Sequence, residues 1–133
     1  METYYVTDNN FKNSKVFKGF LQTNPSVGFL KIRAYTANEA IPIKGLAVTI
    51  SKEIENANIV FFKGVTDESG IIEKISLPVP KIDSNNLEAP NNAKYILTAS
   101  YNGKNKSYVV TMYENLYVVQ TINITPNVNM EGY

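Results

Sequence analysis

The sequence predicts an all-β protein, a seven-stranded antiparallel Greek-key β-sandwich with an extended N-terminal arm, and three observations carry that expectation. Apolar and polar residues alternate in several segments of strand length, the pattern of a strand with one buried face. Turn-forming residues punctuate the chain at short intervals, as they do in sandwiches. No stretch shows a helical period of useful length, and no internal repeat is present.

The pattern is densest over residues 41–80, IPIKGLAVTISKEIENANIVFFKGVTDESGIIEKISLPVP. Leu46, Val48 and Ile50 alternate with Ala47, Thr49 and Ser51, which predicts a strand over 46–52. A polar turn at 53–56 leads into a strand over 58–63, NIVFFK, apolar on both faces and therefore without a readable register. In the turn Thr66-Asp67-Glu68-Ser69-Gly70, Asp67 is placed to accept from the backbone N–H two residues on. Gly70 is placed to take the positive φ that closes the loop. A strand over 71–77 follows, and Pro78, which has no N–H for a ladder, ends it.

Upstream, residues 28–36 (GFLKIRAYT) form a strand with Leu30, Ile32 and Ala34 on one side and Lys31, Arg33 and Tyr35 on the other. Residues 37–44, containing Pro42, connect it to the next. Downstream, residues 78–93 make a long loop with three prolines, a length that in compact domains tends to carry function. Tyr95, Leu97 and Ala99 then alternate along a strand that ends at Asn102-Gly103, a strong hairpin signal. Strands over 106–113 and 116–125 complete the set; Val118, Ile122 and Ile124 share a side in the last, with Gln120 among them, and Pro126 ends it.

The chain therefore divides into an arm (1–27), a sandwich domain (28–126) and a tail (127–133). The arm is polar and Asn-rich, yet it carries Tyr4, Tyr5, Phe11, Phe17 and Phe20. Aromatic side chains are costly to leave in water. Two placements satisfy them: packing on the chain's own domain, as by an extra edge strand, or docking on a neighbouring subunit.

Composition narrows the chemistry. The 133 residues suit one domain, and 44% hydrophobic residues are enough to bury a core. A formal charge of +1 supplies no long-range attraction to nucleic acid or anionic lipid. There is no Cys and no His, which removes disulfides, thiolates, imidazole catalysis and ordinary zinc sites. The N-terminus has no apolar run of signal-peptide length and no segment is long enough to span a bilayer, so synthesis in the cytoplasm without membrane insertion is expected. The abundance of Asn, Lys, Ile and Tyr, all with AT-rich codons, hints at a low-GC bacterium or its phage.

In order, the segments GFLKIRAYT, AIPIKGLAVTISK, TDESGIIEKISLPVP, YILTASYNG and VTMYENLYVVQTINITP resemble the transthyretin-like, carboxypeptidase-regulatory-like β-sandwich of clostridial spore cortex-lytic enzymes and related stand-alone proteins. The resemblance covers residues 28–126 and rests on 42–48, Thr66-Asp67 with Gly70, Leu77-Pro78 with Pro80, and Gln120 with Pro126. It implies a non-catalytic module. Transthyretin-like folds also include hydroxyisourate hydrolases, whose site resembles a His and Arg cluster completed by a C-terminal Tyr-Arg-Gly-Ser. This chain has no His and ends Met130-Glu131-Gly132-Tyr133, so that activity is not expected.

Asp67-Glu68 and Glu53 with Glu55 are paired carboxylates, but turn acids are usually solvated surface. Asp67, Glu68 and Ser69 match no calcium-loop spacing. Lys31 and Lys52, assigned to outward phases, are not placed for a lysine–asparagine cross-link. Outward tyrosines such as Tyr35 suit stacking on a glycan or a protein, or ordinary cross-strand packing. No cofactor, no metal and no catalytic residue is expected.

The function expected from these readings is a non-enzymatic structural or adaptor module, a small subunit of a phage tail or phage-tail-like bacteriocin particle. Its contacts would be the arm aromatics Tyr4, Tyr5, Phe11, Phe17 and Phe20, the loop residues Ile82 and Leu87, and an open sheet edge. Asp67, Gly70, Asn102 and Gly103 serve as structural turn residues. The partners would be protein subunits of a larger, even homo-oligomeric, assembly. The alternative is a module binding peptidoglycan or spore-cortex glycan.

Overall fold

Alternate apolar residues build two sheets that face one another. The computed structural model describes residues 1–36 and 41–125. Their order is β1 (Thr3–Tyr5), α1 (Asn9–Lys12), α2 (Lys15–Thr23), β2 (Ser26–Thr36), β3 (Ala47–Ile54), β4 (Ala57–Val65), β5 (Ile71–Val79), β6 (Ala93–Tyr101), β7 (Lys104–Met112) and β8 (Tyr117–Ile124). One sheet runs β1-β4-β3-β6-β7 and the other β5-β2-β8. Pairing is antiparallel except for β1 with β4 and β2 with β8, which run parallel. The predicted β-sandwich is present, with eight strands described where seven were expected. Residues 37–40 of the first connection, Pro126 and the tail at 127–133 lie outside the described residues.

The core between the sheets is the set that alternation picks out. β2 contributes Leu30, Ile32 and Ala34; β3, Val48 and Ile50; β5, Ile75, Leu77 and Val79; β6, Tyr95, Leu97 and Ala99; β8, Ile122 and Ile124. Burying side chains of this size contributes about 1.5–3 kcal/mol each before conformational entropy is counted. Tyr95 is the largest fully buried residue, and its hydroxyl donates to the Pro78 carbonyl on the facing sheet.

The arm is where the expectation of no helix fails. Val16, Phe17, Phe20 and Leu21 recur at the spacing of one helical face, and Ser14 caps the start by accepting from the Phe17 N–H at 3.2 Å. A nine-residue segment with Gly19 inside it is too short to be helical on its own. Packing holds it. Phe11 and Phe17 are buried with Ile59 in a second cluster, and Tyr4, Val16 and Phe20 lie against them. β1 adds the extra edge strand, parallel to β4.

A change of phase within β4 explains why NIVFFK reads as apolar on both faces. Ile59 pairs with the inward Lys52 and Phe62 with the inward Ile50, so both face the interior although they are three residues apart. A bulge opposite Ile50 and Ser51 skips Phe61. Phe61 then touches both clusters, its ring 5.1 Å from Tyr95 and 5.6 Å from Phe20.

The turns follow their residue chemistry. The Asp67 carboxylate accepts from the Ser69 and Ile71 N–H groups, each at 2.9 Å. Gly70 has φ +76°, and a Cβ there would sit 2.4 Å from the Ala34 carbonyl oxygen, so only glycine fits. Asn102 and Gly103 have φ of 49° and 79°, the two positive values of a tight hairpin. Thr66, a buried polar residue, joins this turn to the incoming chain. Its hydroxyl donates to the Ile43 carbonyl at 2.6 Å and accepts from the Leu46 N–H at 3.0 Å.

β8 is an edge strand among the described residues, and half of its open side is guarded. The Gln120 amide donates to the Thr121 carbonyl at 3.0 Å. Lys106 reaches over from β7 to the Asn123 carbonyl at 2.7 Å. Occupying edge carbonyls in this way discourages pairing with another strand.

Candidate functional site

Strand phase places the most unusual side chain of the domain. Val48 and Ile50 point inward on β3, and Lys52 follows them in the same phase. The β3–β6 register sets Ser51 opposite Ile96, which brings Lys52 beside Tyr95. The Lys52 ammonium lies 5.2 Å above the Tyr95 ring and donates to the Lys94 carbonyl at 2.7 Å. The outward phase expected for Lys52 is therefore corrected: it continues the inward series to the open end of the sandwich. Lys31 does point outward and pairs with Glu73 at 3.6 Å.

Around Lys52 the strand ends and the arm border a shallow, open cavity of about 550 Å³. Its walls come from four segments: Phe20, Thr23 and Asn24 from the end of α2, Lys52 to Ile54 from β3, Pro80 and Asn92 from the long loop, and Ala93 with Lys94 from β6. The negative end of α2 is covered there, because Thr23 and Asn24 side chains both donate to the Phe20 carbonyl. Lys94 donates to the Asn92 side-chain oxygen at 3.2 Å. Lys52 thus borders the opening, while Lys94, adjacent to the buried Tyr95 on β6 and therefore on the opposite strand phase, stands exposed beside it, as does Glu53.

Lys52 has no carboxylate partner among the described residues. Burial, and secondarily the neighbouring Lys94 charge, lower its pKa below the ordinary lysine value. The aromatic face under it offsets part of that cost. Burial also raises the Tyr95 phenol, which stays a neutral donor to Pro78. An anion beside the Lys52 ammonium would offset its desolvation.

The residues singled out from sequence fall elsewhere. Phe11 and Phe17 are buried in the chain's own second cluster, Tyr4 stacks on Phe11 at 5.4 Å, and Phe20 reaches the wall of the Lys52 cavity. Tyr5 is exposed. In the long loop Leu87 is exposed, while Ile82 is half-buried and its N–H donates to Glu114 at 2.9 Å. That bond, with one from Ser26, holds the Glu114 carboxyl below the usual range. Asp67, Gly70, Asn102 and Gly103 stand at their turns, distant from this cavity in the chain. Tyr35 is half-buried under the Arg33 guanidinium, 5.0 Å from its ring centre.

A second cavity of about 520 Å³ lies under the arm, lined by Glu2, Tyr4, Asp8, Phe11 and Glu55 among others. Its acids are largely committed: Asp8 caps α1 and Glu2 accepts from the Tyr4 hydroxyl. No group of three or more His, Cys, Asp or Glu side chains is arranged to hold a metal among the described residues.

Lys52 was legible in the sequence by its even spacing from Leu46, Val48 and Ile50. Its partner Lys94 was not, because only the pairing of β3 with β6 brings the two together.

Comparison with known proteins bears on the fold. No protein-family model matches the chain, and no curated protein matches it by sequence. Among solved structures, the 5-hydroxyisourate hydrolase of Klebsiella pneumoniae is similar over 75% of this chain and 91% of its own, with a TM-score of 0.53 and 19% identity. A 9R-lipoxygenase from Cyanothece PCC8801 is similar over 77% of this chain but 17% of its own, with a TM-score of 0.38 and 10% identity. The first finding overturns the expectation of a non-catalytic adaptor in a phage-tail or bacteriocin particle, together with its glycan-binding alternative. A solved protein sharing this architecture across three-quarters of the chain is an enzyme, so the sandwich is no mark of a non-enzymatic module, and no comparison links the chain to a particle or a wall. At 19% identity the likeness is one of architecture, and the architecture is the transthyretin-like β-sandwich.

Proposed function

We propose that this chain binds a small carboxylate- or phosphate-bearing molecule in the cavity at the Lys52 end of the sandwich. One observation carries the reading: an inward lysine, without a carboxylate partner among the described residues, held over the Tyr95 ring at an open cleft. In this reading Lys52 holds the anionic group, the exposed Lys94 adds its charge from the rim, and Phe20 covers the apolar part. The cavity is large enough for a metabolite-sized ligand. Within the transthyretin-like sandwiches, the order of motifs along residues 28–126 favours the carboxypeptidase-regulatory-like branch.

Titration of the isotope-labelled protein with inorganic phosphate tests the reading. The backbone amides of Lys52, Lys94, Asn92 and Asn24 are expected to shift together and saturably. Shifts spread evenly over the surface lysines, or none, would refute it.

A second reading, hydrolysis of 5-hydroxyisourate, has the shared architecture in its favour. Turnover by the purified chain would establish it, and would require a mechanism without histidine. Absence of turnover alongside saturable phosphate shifts would leave the first reading standing.

A further inference from the structure

We propose that Lys52 is an amine nucleophile that forms an imine with a carbonyl-bearing anion, an aldehyde or 2-oxo acid, held in the same cavity. The inference rests on the anion-binding reading above and adds a reaction class to it.

Geometry comes first. The Lys52 nitrogen is tethered to the Lys94 carbonyl at 2.7 Å and lies over an aromatic face at the wall of an open cavity. A neutral amine there can keep one N–H on that carbonyl while its lone pair faces the opening. An ammonium with a carboxylate partner would be held protonated, and Lys52 has none among the described residues. The groups packed around it are Lys94 from β6, Tyr95 beneath, and Glu53 at the rim, exposed. The lowered pKa agrees with this placement, since desolvation and a neighbouring cation are the conditions that activate a lysine amine.

Lys94 stands exposed at the rim of the cleft and adds its charge from there. Its ammonium, steadied by Asn92, is available to the anionic group of the reactant while the carbonyl carbon meets Lys52. The step balances without an oxidant. The amine adds to the carbonyl carbon, the carbonyl oxygen leaves as water with the two amine protons, and a C=N bond remains.

Trapping tests the inference: the intact chain is incubated with pyridoxal 5′-phosphate at neutral pH, reduced with sodium borohydride and mapped by peptide mass spectrometry. Lys52 is expected to carry the majority of the adduct, ahead of exposed Lys12, Lys18 and Lys63. Pyridoxal, which lacks the phosphate, is expected to label Lys52 more slowly, and excess inorganic phosphate to suppress labelling. K52R should lose the dominant adduct while keeping the wild-type amide spectrum outside the cavity, and K94Q should keep Lys52 as the labelled site at a reduced rate.

Adduct spread over the surface lysines, or centred on a residue other than Lys52, overturns the inference. If phosphate still shifts the cavity amides in that case, imine formation alone is wrong. If phosphate shifts nothing, the binding reading fails as well.

Discussion

Replacing Thr66 with valine removes one hydroxyl and keeps the shape, so it isolates the bonds that close the central turn. Thr66 is 2% exposed, and its hydroxyl serves two backbone groups, the Ile43 carbonyl at 2.6 Å and the Leu46 N–H at 3.0 Å. Both groups stay buried when the oxygen goes. Leaving a buried donor or acceptor unsatisfied costs about 1–3 kcal/mol. Two such groups give an expected loss of about 2–6 kcal/mol, a large share of a typical domain's stability. Thr66→Ser is the control, since it keeps both bonds and gives up one methyl, worth about 1 kcal/mol. Urea denaturation measures the two, with an unchanged m-value required for the comparison. The valine variant should lose more than the serine variant. If it unfolds within about 0.5 kcal/mol of wild type, an ordinary surface-like effect, the hydroxyl does not hold the turn.

Three further outcomes are expected. Lys52→Met tests the half-buried amine through pH: the folded-state pKa is lowered, so the native state bears the cost of the charged form below that value. As pH rises from there toward the unfolded value of 10.5, the unfolded chain binds more protons and wild-type stability rises relative to the variant. Urea midpoints across the alkaline range should show that gap closing in wild type's favour; a gap moving the other way contradicts the phase assigned to Lys52. Phe17→Ala empties the centre of the arm's cluster and should cost about 3 kcal/mol by the same assay; no loss would mean that the arm does not pack on β4. Gln120→Ala combined with Lys106→Glu strips the guarded half of β8 and should raise self-association by light scattering, while an unchanged monomer would show that those two groups do not protect the edge.

Much of the sandwich was legible because single residues carried the signal. Parity over Leu30, Ile32 and Ala34, over Val48 and Ile50, and over Tyr95, Leu97 and Ala99 marked the inward faces that the structure shows. Asp67, Gly70 and Asn102-Gly103 marked turns through backbone chemistry that needs no tertiary context. The helical layer was harder to read. Its signal, Ser14 followed by Val16, Phe17, Phe20 and Leu21, spans about two turns, and its stability comes from Ile59 and Phe61 on a distant strand. The ambiguous NIVFFK strand was the trace of the bulge at Phe61, which lets Ile59 and Phe62 share the inward face. The site was least legible, because residues 20–24, 52–54, 80 and 92–94 meet through sheet pairing, and Lys52 was set on the wrong face despite its parity with Ile50.

The titration of Lys52 itself, followed through its side-chain carbon resonance with and without inorganic phosphate, bears most directly on the proposed site. It should titrate below the exposed lysines when free and move back upward when phosphate is bound. A Lys52 that titrates with the others and ignores phosphate would contradict the account.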